Sequence, residues 1–180
     1  VIGCGYWGIN LVRNFYELGV LQSVSDLNKE AQIKVKRISK NIDFQKNYKN
    51  IIKNKSIDAI VIATPAKTHF KLVEQALKYD KHVFVEKPLC LNLHDAKKLK
   101  AIAIKKKLKL MVGHLMLYHP AFNKMKKLIG EGKIGNIRYI YSNRLNLGKL
   151  RKDEDVLWSF APHDISMILN LVKSKLETVD

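Results

Sequence analysis

Apolar residues fall into two alternating kinds of stretch. Short, nearly continuous runs rich in β-branched residues recur at Ile57-Asp58-Ala59-Ile60-Val61-Ile62-Ala63, His82-Val83-Phe84-Val85 and Leu108 to Val112. Such runs read as buried strands. Between them apolar positions recur every three or four residues, the helical period. Ile9, Leu11, Val12, Phe15, Tyr16 and Leu18 mark the buried side of a first helix, with Gly19 as its stop. A short strand follows from Leu21 to Ser25, ending at Asp26, and Lys29 to Ser39 reads as a second helix. Phe70, Leu72, Val73, Ala76 and Leu77 define a helix that Thr68 can cap, and Asn92 can cap another from Leu93 to about Lys106. Strands alternating with helices predict an α/β fold, a doubly wound parallel sheet filling residues 1–113.

After Gly113 the pattern changes. A helix near Pro120 to Leu128 gives way to Gly130, Gly132 and Gly135, then to a strand-like stretch from Ile137 to Leu147. Val156 to Val172 looks mostly helical but broken by Pro162. Residues 114–180 therefore form a second domain. The chain opens on Val1, already at the end of a strand, and stops at Leu176-Glu177-Thr178-Val179-Asp180 without a closing element. Both ends read as cut, so the second domain is expected to be truncated.

Composition narrows the classes. With 180 residues and 47% hydrophobic content, a sizeable core is available and global disorder is excluded. No apolar run approaches the roughly 18 residues of a membrane span. Cys4 and Cys90 cannot build a disulfide framework, which fits a reducing compartment such as the cytoplasm. Thirty-three Lys plus Arg against 16 Asp plus Glu leave +17, a balance that invites a polyanionic partner. The excess is spread, at +7 in residues 1–90 and +10 in 91–180, and is densest at Lys97, Lys98, Lys100 and Lys105 to Lys109 on the outer face and end of a helix. No stacking-aromatic motif or zinc-finger spacing accompanies it, so it reads as solvated surface, with no nucleic-acid partner.

The chemistry begins at the first turn. Gly3-Cys4-Gly5-Tyr6-Trp7-Gly8 is a complete G-x-G-x-x-G running from a strand end into a helix. The first glycine permits the tight turn, the second the approach of a pyrophosphate, the third close packing of helix on strand. The pyrophosphate of a dinucleotide then sits on the helix N-terminus, beside Tyr6 and Trp7. Asp26, 18 residues past Gly8, suits the adenosine ribose hydroxyls. Its carboxylate repels a 2′-phosphate, favouring NAD over NADP, an effect that Lys29 offsets in part. Thr64-Pro65, Glu86-Lys87-Pro88 and Gly113-His114 also close predicted strands, so one rim collects them all, the rim where such sheets bind ligands. His69 follows the Thr64-Pro65 turn and is expected near the cofactor. His69, His82 and His94 share no metal-ligand spacing, and no metal is assigned.

The glycine turn, "ATPAKTH", "VEKPL" and the pair His163-Asp164 together resemble the Gfo/Idh/MocA family of NAD(P)-dependent oxidoreductases, over essentially the whole chain. That resemblance implies an N-terminal Rossmann domain and a C-terminal α/β domain whose mostly antiparallel open sheet covers the substrate and often forms a homo-oligomer interface. "GYWGINLVRNF", "GHLMLYHPAF", "YSNRLNLG" and "VLWSFAPHDI" are similar to a branch linked to nucleotide sugars, some of whose members oxidise the 3-hydroxyl of UDP-N-acetylglucosamine. Other branches act on inositol or free sugars.

By the same resemblance Thr64, Pro65, Glu86 and Lys87 border the cofactor, and Lys87 is the residue beside nicotinamide and the reacting hydroxyl. A partly desolvated Lys near other cations can have its pKa lowered, which suits acid–base work. The family often has a cis peptide at this motif. His163 takes the place of the family's catalytic His, able to shuttle a proton or bond a sugar hydroxyl. The family often has Asp four residues earlier, where this chain has Ser159. His114 and Tyr118 are implied sugar contacts at the domain junction. Asn143 and Arg144 are candidates for hydroxyls or a nucleotide phosphate, as are Arg151 and Lys152 for phosphate. A dehydrogenase for free sugars or inositol is one alternative, and a non-catalytic dinucleotide-binding protein is another, motivated by Ser159.

Overall fold

The computed structural model describes residues 1–145, 155–172 and 174–179. Arg151, Lys152 and the end of the strand-like stretch at Leu147 lie outside them. The chain divides into two compact units, Val1–Gly113 and His114–Asp180.

The first unit is a parallel sheet with helices on both faces. Its helices are α1 (Gly8–Glu17), α2 (Lys29–Ile38), α3 (Tyr48–Lys53), α4 (His69–Lys78) and α5 (Leu93–Lys105). Its strands are β1 (Ser23–Ser25), β2 (Asp43–Gln45), β3 (Ala59–Ile62), β4 (His82–Val85) and β5 (Leu110–Val112). β1 pairs with β2, and β3, β4 and β5 pair in that order, all parallel. The opening segment joins the two groups. The N–H of Ile2 donates to Val61 O (2.7 Å) and that of Ala63 to Ile2 O (2.8 Å), while Gly3 N–H donates to Ser25 O (2.8 Å). Val1–Gly3 thus acts as the central strand, reduced to a single bridged residue, Ile2. The chain winds outward from it to β2, then returns to β3, which makes this the switch point of the sheet.

Side chains alternate across the pleat, and the core divides accordingly. Ile2, Ile60, Ile62, Val83 and Val85 pack with Ile51, Ile52, Leu72, Val73, Leu77 and Leu99 beneath α3, α4 and α5. Val1, Val24 and Val61 pack with Val12, Ala31 and Val35 beneath α1 and α2. Phe84 reaches the second face, where its ring meets Phe15 edge-on at 6.4 Å. Both faces are covered, as a parallel sheet requires.

Several local expectations change. Tyr16 and Leu18 are exposed, because Tyr16 lies in the last turn of α1 and Leu18 beyond its end. Thr68 does not cap α4 with its side chain. A short 3₁₀ turn, Ala66–Thr68, precedes that helix, and the Thr68 hydroxyl donates to Pro65 O (2.7 Å). Asn92 does cap α5, accepting from Asp95 N–H. β2 and α3 occupy a stretch that periodicity left unread. Asp43-Phe44-Gln45 is short and polar, so it carries no strand signature, although Asn47 caps α3 and Ile51 and Ile52 bury its inner face.

In the second unit a 3₁₀ turn, Leu115–Tyr118, leads to α6 (Pro120–Gly130), and α7 spans Val156–Leu171. α7 runs through Pro162 rather than breaking there. Proline removes one N–H and crowds the preceding turn, a cost of about 3 kcal/mol in a helix interior. Residues 137–145 form no strand, because an extended segment becomes one only by pairing, and no partner strand lies beside it among the described residues. Among the described residues no helix is long and apolar enough to cross a membrane.

Leu77 is fully buried between α4 and the sheet. Leu77→Ala is expected to lower stability by about 2–5 kcal/mol in urea unfolding followed by circular dichroism, the range for truncating a closely packed leucine.

Candidate cofactor and active site

The glycine turn is shaped by contacts that exclude side chains. Gly3 has φ +92°, and a Cβ there would lie 2.7 Å from Ala63 O. A Cβ on Gly8 would overlap the Gly3 carbonyl oxygen. α1 therefore starts directly against the end of the central segment. Above Gly5 the space is open, since a Cβ there would meet nothing within 4 Å. Trp7 precedes α1 without making a side-chain cap; in the first turn the N–H groups of Ile9 and Asn10 donate to Gly5 O (3.3 Å) and Trp7 O (2.9 Å). These features fit a dinucleotide pyrophosphate.

Asp26 stands at the end of β1 beside this turn. Its Oδ2 accepts from Cys4 N–H (2.6 Å) and its Oδ1 from Asn28 N–H (2.9 Å). A carboxylate offers about four acceptor positions, so capacity remains for two ribose hydroxyls. Burial, reinforced by the Asp26 charge, pushes the Cys4 thiol up to about 12, which makes it an inert packing group.

The turn after β4 is held from several sides. Trp7 Nε1 donates to Glu86 Oε1 at 2.8 Å, joining residues 79 apart in sequence. The Glu86 carboxyl also fills the space above Gly113, whose added Cβ would lie 3.0 Å from Oε1. Burial pushes the Glu86 pKa above the ordinary range, opposed by the Trp7 bond, the Lys87 backbone and the charges of Lys87 and His69. The Lys87–Pro88 peptide is cis. Lys87 is half-buried, and Pro88 is buried.

His69 is 1% exposed. Its Nδ1 lies 2.7 Å from Pro88 O and its Nε2 2.8 Å from Thr64 O. Both nitrogens are engaged by backbone, so His69, expected near the cofactor, ties the two turns together. Thr68 spends its only proton on Pro65 O, so Thr64 is the donor in the 2.6 Å Thr64–Thr68 hydroxyl contact. Gly3, Gly5, Tyr6, Trp7, Gly8, Asp26, Thr64, Pro65, Glu86 and Lys87 thus all stand at turns on the carboxyl rim of one sheet. The Trp7–Glu86 and His69–Pro88 links were not legible, because nothing in linear spacing marks a contact between turns.

In the second unit, α7 places Ser159 and His163 one turn apart on one face, with Ser159 buried. The turn carrying Tyr118, which His114 precedes, packs against α6 and α7. Tyr118 is exposed, and so is Asn143 on the extended segment. Arg144 is committed elsewhere. Its Nε donates to Asp164 Oδ2 (2.6 Å), while Ser142 donates to Oδ1 (2.8 Å). Burial raises the Asp164 pKa, but Arg144 and Ser142 outweigh it and hold the carboxyl below its usual range. The open guanidinium fork expected for a phosphate is closed on a carboxylate. Among the described residues no three His, Cys, Asp or Glu side chains gather as a metal site.

The switch point, the glycine turn and Asp26 define a dinucleotide-binding Rossmann domain. Residues 1–114 match the model of the Gfo/Idh/MocA oxidoreductase family, described as having an NAD-binding Rossmann fold, and the chain belongs to that family. It is 34% identical over 116 residues to UDP-N-acetylglucosamine 3-dehydrogenase of Acidithiobacillus ferrooxidans, covering 64% of this chain and 36% of that protein. It is 25% identical over 189 residues to myo-inositol 2-dehydrogenase of Thermotoga maritima, covering 99% of this chain and 56% of that one. The crystal structure of myo-inositol 2-dehydrogenase from Lactobacillus plantarum superposes with a TM-score of 0.69 at 26% identity, over 74% of this chain and 41% of its own. The chain thus spans about half or less of the length of these relatives.

The pH dependence of stability should show the strain on Glu86. Its folded pKa is raised, so the unfolded chain loses the proton first and stability falls as pH rises through the window above the ordinary Glu value of about 4.3. In urea unfolding between about pH 4 and 7, the wild type should lose stability relative to Glu86→Gln as pH rises; parallel curves would contradict the assignment.

Proposed function

We propose that the protein is an NAD-dependent dehydrogenase that takes a hydride from a secondary hydroxyl carbon of a sugar or nucleotide sugar, Lys87 and His163 handling the proton. The observation that carries this reading is the turn after β4, where Trp7, His69 and Gly113 fix Glu86-Lys87-Pro88 on the same rim as the glycine turn and Asp26. A bound nicotinamide supplies the hydride acceptor. With that acceptor bound, Lys87 would take the proton of the substrate hydroxyl as its carbon gives up the hydride and the carbonyl forms. His163 hydrogen-bonds the hydroxyl or relays that proton to water. Asp26 favours NAD, since its carboxylate opposes a 2′-phosphate.

The 34%-identical relative supports a nucleotide sugar as substrate, and homo-oligomerisation through the second domain accords with the family resemblance. A second reading, a free sugar or inositol, is favoured by the closed Arg144–Asp164 pair, which withdraws the expected phosphate ligand, and by the two inositol dehydrogenases.

In the full-length protein Lys87→Met should lower kcat on the order of 10²–10⁴-fold, the range for a positioned acid–base group, with NADH affinity by fluorescence unchanged. UDP-N-acetylglucosamine and myo-inositol, assayed side by side, separate the two substrate readings. NADH binding without turnover on any sugar, nucleotide sugar or inositol would instead identify a non-catalytic dinucleotide-binding protein.

A further inference from the structure

His69 opens α4 with both ring nitrogens at hydrogen-bond distance from backbone carbonyl oxygens, 2.7 Å to Pro88 and 2.8 Å to Thr64. A carbonyl oxygen only accepts. A neutral imidazole has a single N–H, so either tautomer would leave a ring lone pair facing a carbonyl lone pair with no room for water between them. Only an imidazolium donates at both ends. A charge this deeply buried persists only when hydrogen-bonded and offset, and two charge-assisted bonds provide the first condition. Glu86, two residues before the Pro88 whose carbonyl His69 meets, is the carboxylate that provides the second.

We infer that His69 is a doubly protonated imidazolium that clamps the Thr64–Pro65 turn to the Lys87–Pro88 turn, and so acts as a positioning residue for Lys87. The charged side chains on the joined turns are Glu86 and Lys87 on one and Lys67 on the other, with Lys71 and Glu74 further along α4. Glu74 is engaged by Lys78 and Lys98, which leaves Glu86 as the carboxylate of this cluster. The clamp spans the two loops that border the cofactor space in the proposed dehydrogenase, and its positioning role rests on that reading. Its protonation state does not.

The protonation state is read directly from a long-range ¹H–¹⁵N spectrum of the chain labelled with ¹⁵N-histidine, at neutral pH. Both His69 nitrogens should appear as protonated, N–H-bearing nitrogens, and a pyridine-type nitrogen on this ring would overturn the inference. The positioning role is read from His69→Phe in the full-length protein, whose ring has no N–H to donate to either carbonyl. Its kcat should fall on the order of 10²-fold, as for a reacting group displaced by about 1 Å, while NADH affinity holds. Unchanged kcat at a temperature where the variant is folded would overturn the positioning role. If the variant does not fold, the wild-type spectrum still decides the charge. If the wild type turns over no substrate, that failure belongs to the dehydrogenase reading.

Discussion

Gly8 rests on the carbonyl oxygen of Gly3 with no room for a side chain between them, and Gly3 in turn lies against Ala63. That backbone-to-backbone contact brings the start of α1 onto the end of the central segment and beside β3. Two longer reaches depend on it. Asp26 can accept from Cys4 N–H only because the glycine turn lies low over β1, and Trp7 can reach Glu86 only because α1 begins at the rim. The site is thus assembled by backbone packing at one switch point, and its side chains are arranged around a gap that glycine keeps open.

The sheet explains why distant turns meet. In a parallel arrangement every strand delivers its carboxyl end to the same edge, so Asp26, Thr64-Pro65, Glu86-Lys87-Pro88 and Gly113 become neighbours whatever their separation in sequence. The rim would nonetheless be a set of independent loops without cross-links. Trp7 and His69 supply them, the first through an indole N–H and the second through an imidazole between two carbonyls. Both link backbone or carboxylate groups that would otherwise need water, and water at this edge would compete with a cofactor.

Much of the first unit was legible because its signals are local. The glycine spacing, the β-branched run at Ile60-Val61-Ile62 and the Asn92 cap each act over a few residues, and each fixes an element where expected. What escaped was either weakly patterned or non-local. β2 is three residues with one apolar side chain, so no alternation could mark it, and Asn47 signals α3 only once a helix is suspected. Pro162 signals a break because its local cost is real, yet α7 is continuous through it. The stretch 137–145 shows the opposite failure. Its alternation of Ile137, Tyr139 and Tyr141 suits a strand, but strand formation also needs a partner ladder, which is a property of other parts of a chain.

The same distinction between local and contextual signals applies to charge. An excess of +17 looks like one property of the molecule, but its members sit in different physical situations. Lys98 on α5 and Lys106 just beyond its end are half-exposed and paired with Glu74 and Asp80, where solvent screening leaves each pair little energy. Lys81 is buried and donates to the carbonyls of Asn54 and Ile57, closing the end of α3. Arg144 is fixed on Asp164, next to His163, so its charge serves to orient a carboxylate at that corner of α7. With Ser159 in place of the usual Asp, that oriented carboxylate follows the histidine instead of preceding it by a turn. A negative charge is therefore still supplied beside His163, from the neighbouring position and shared with a guanidinium.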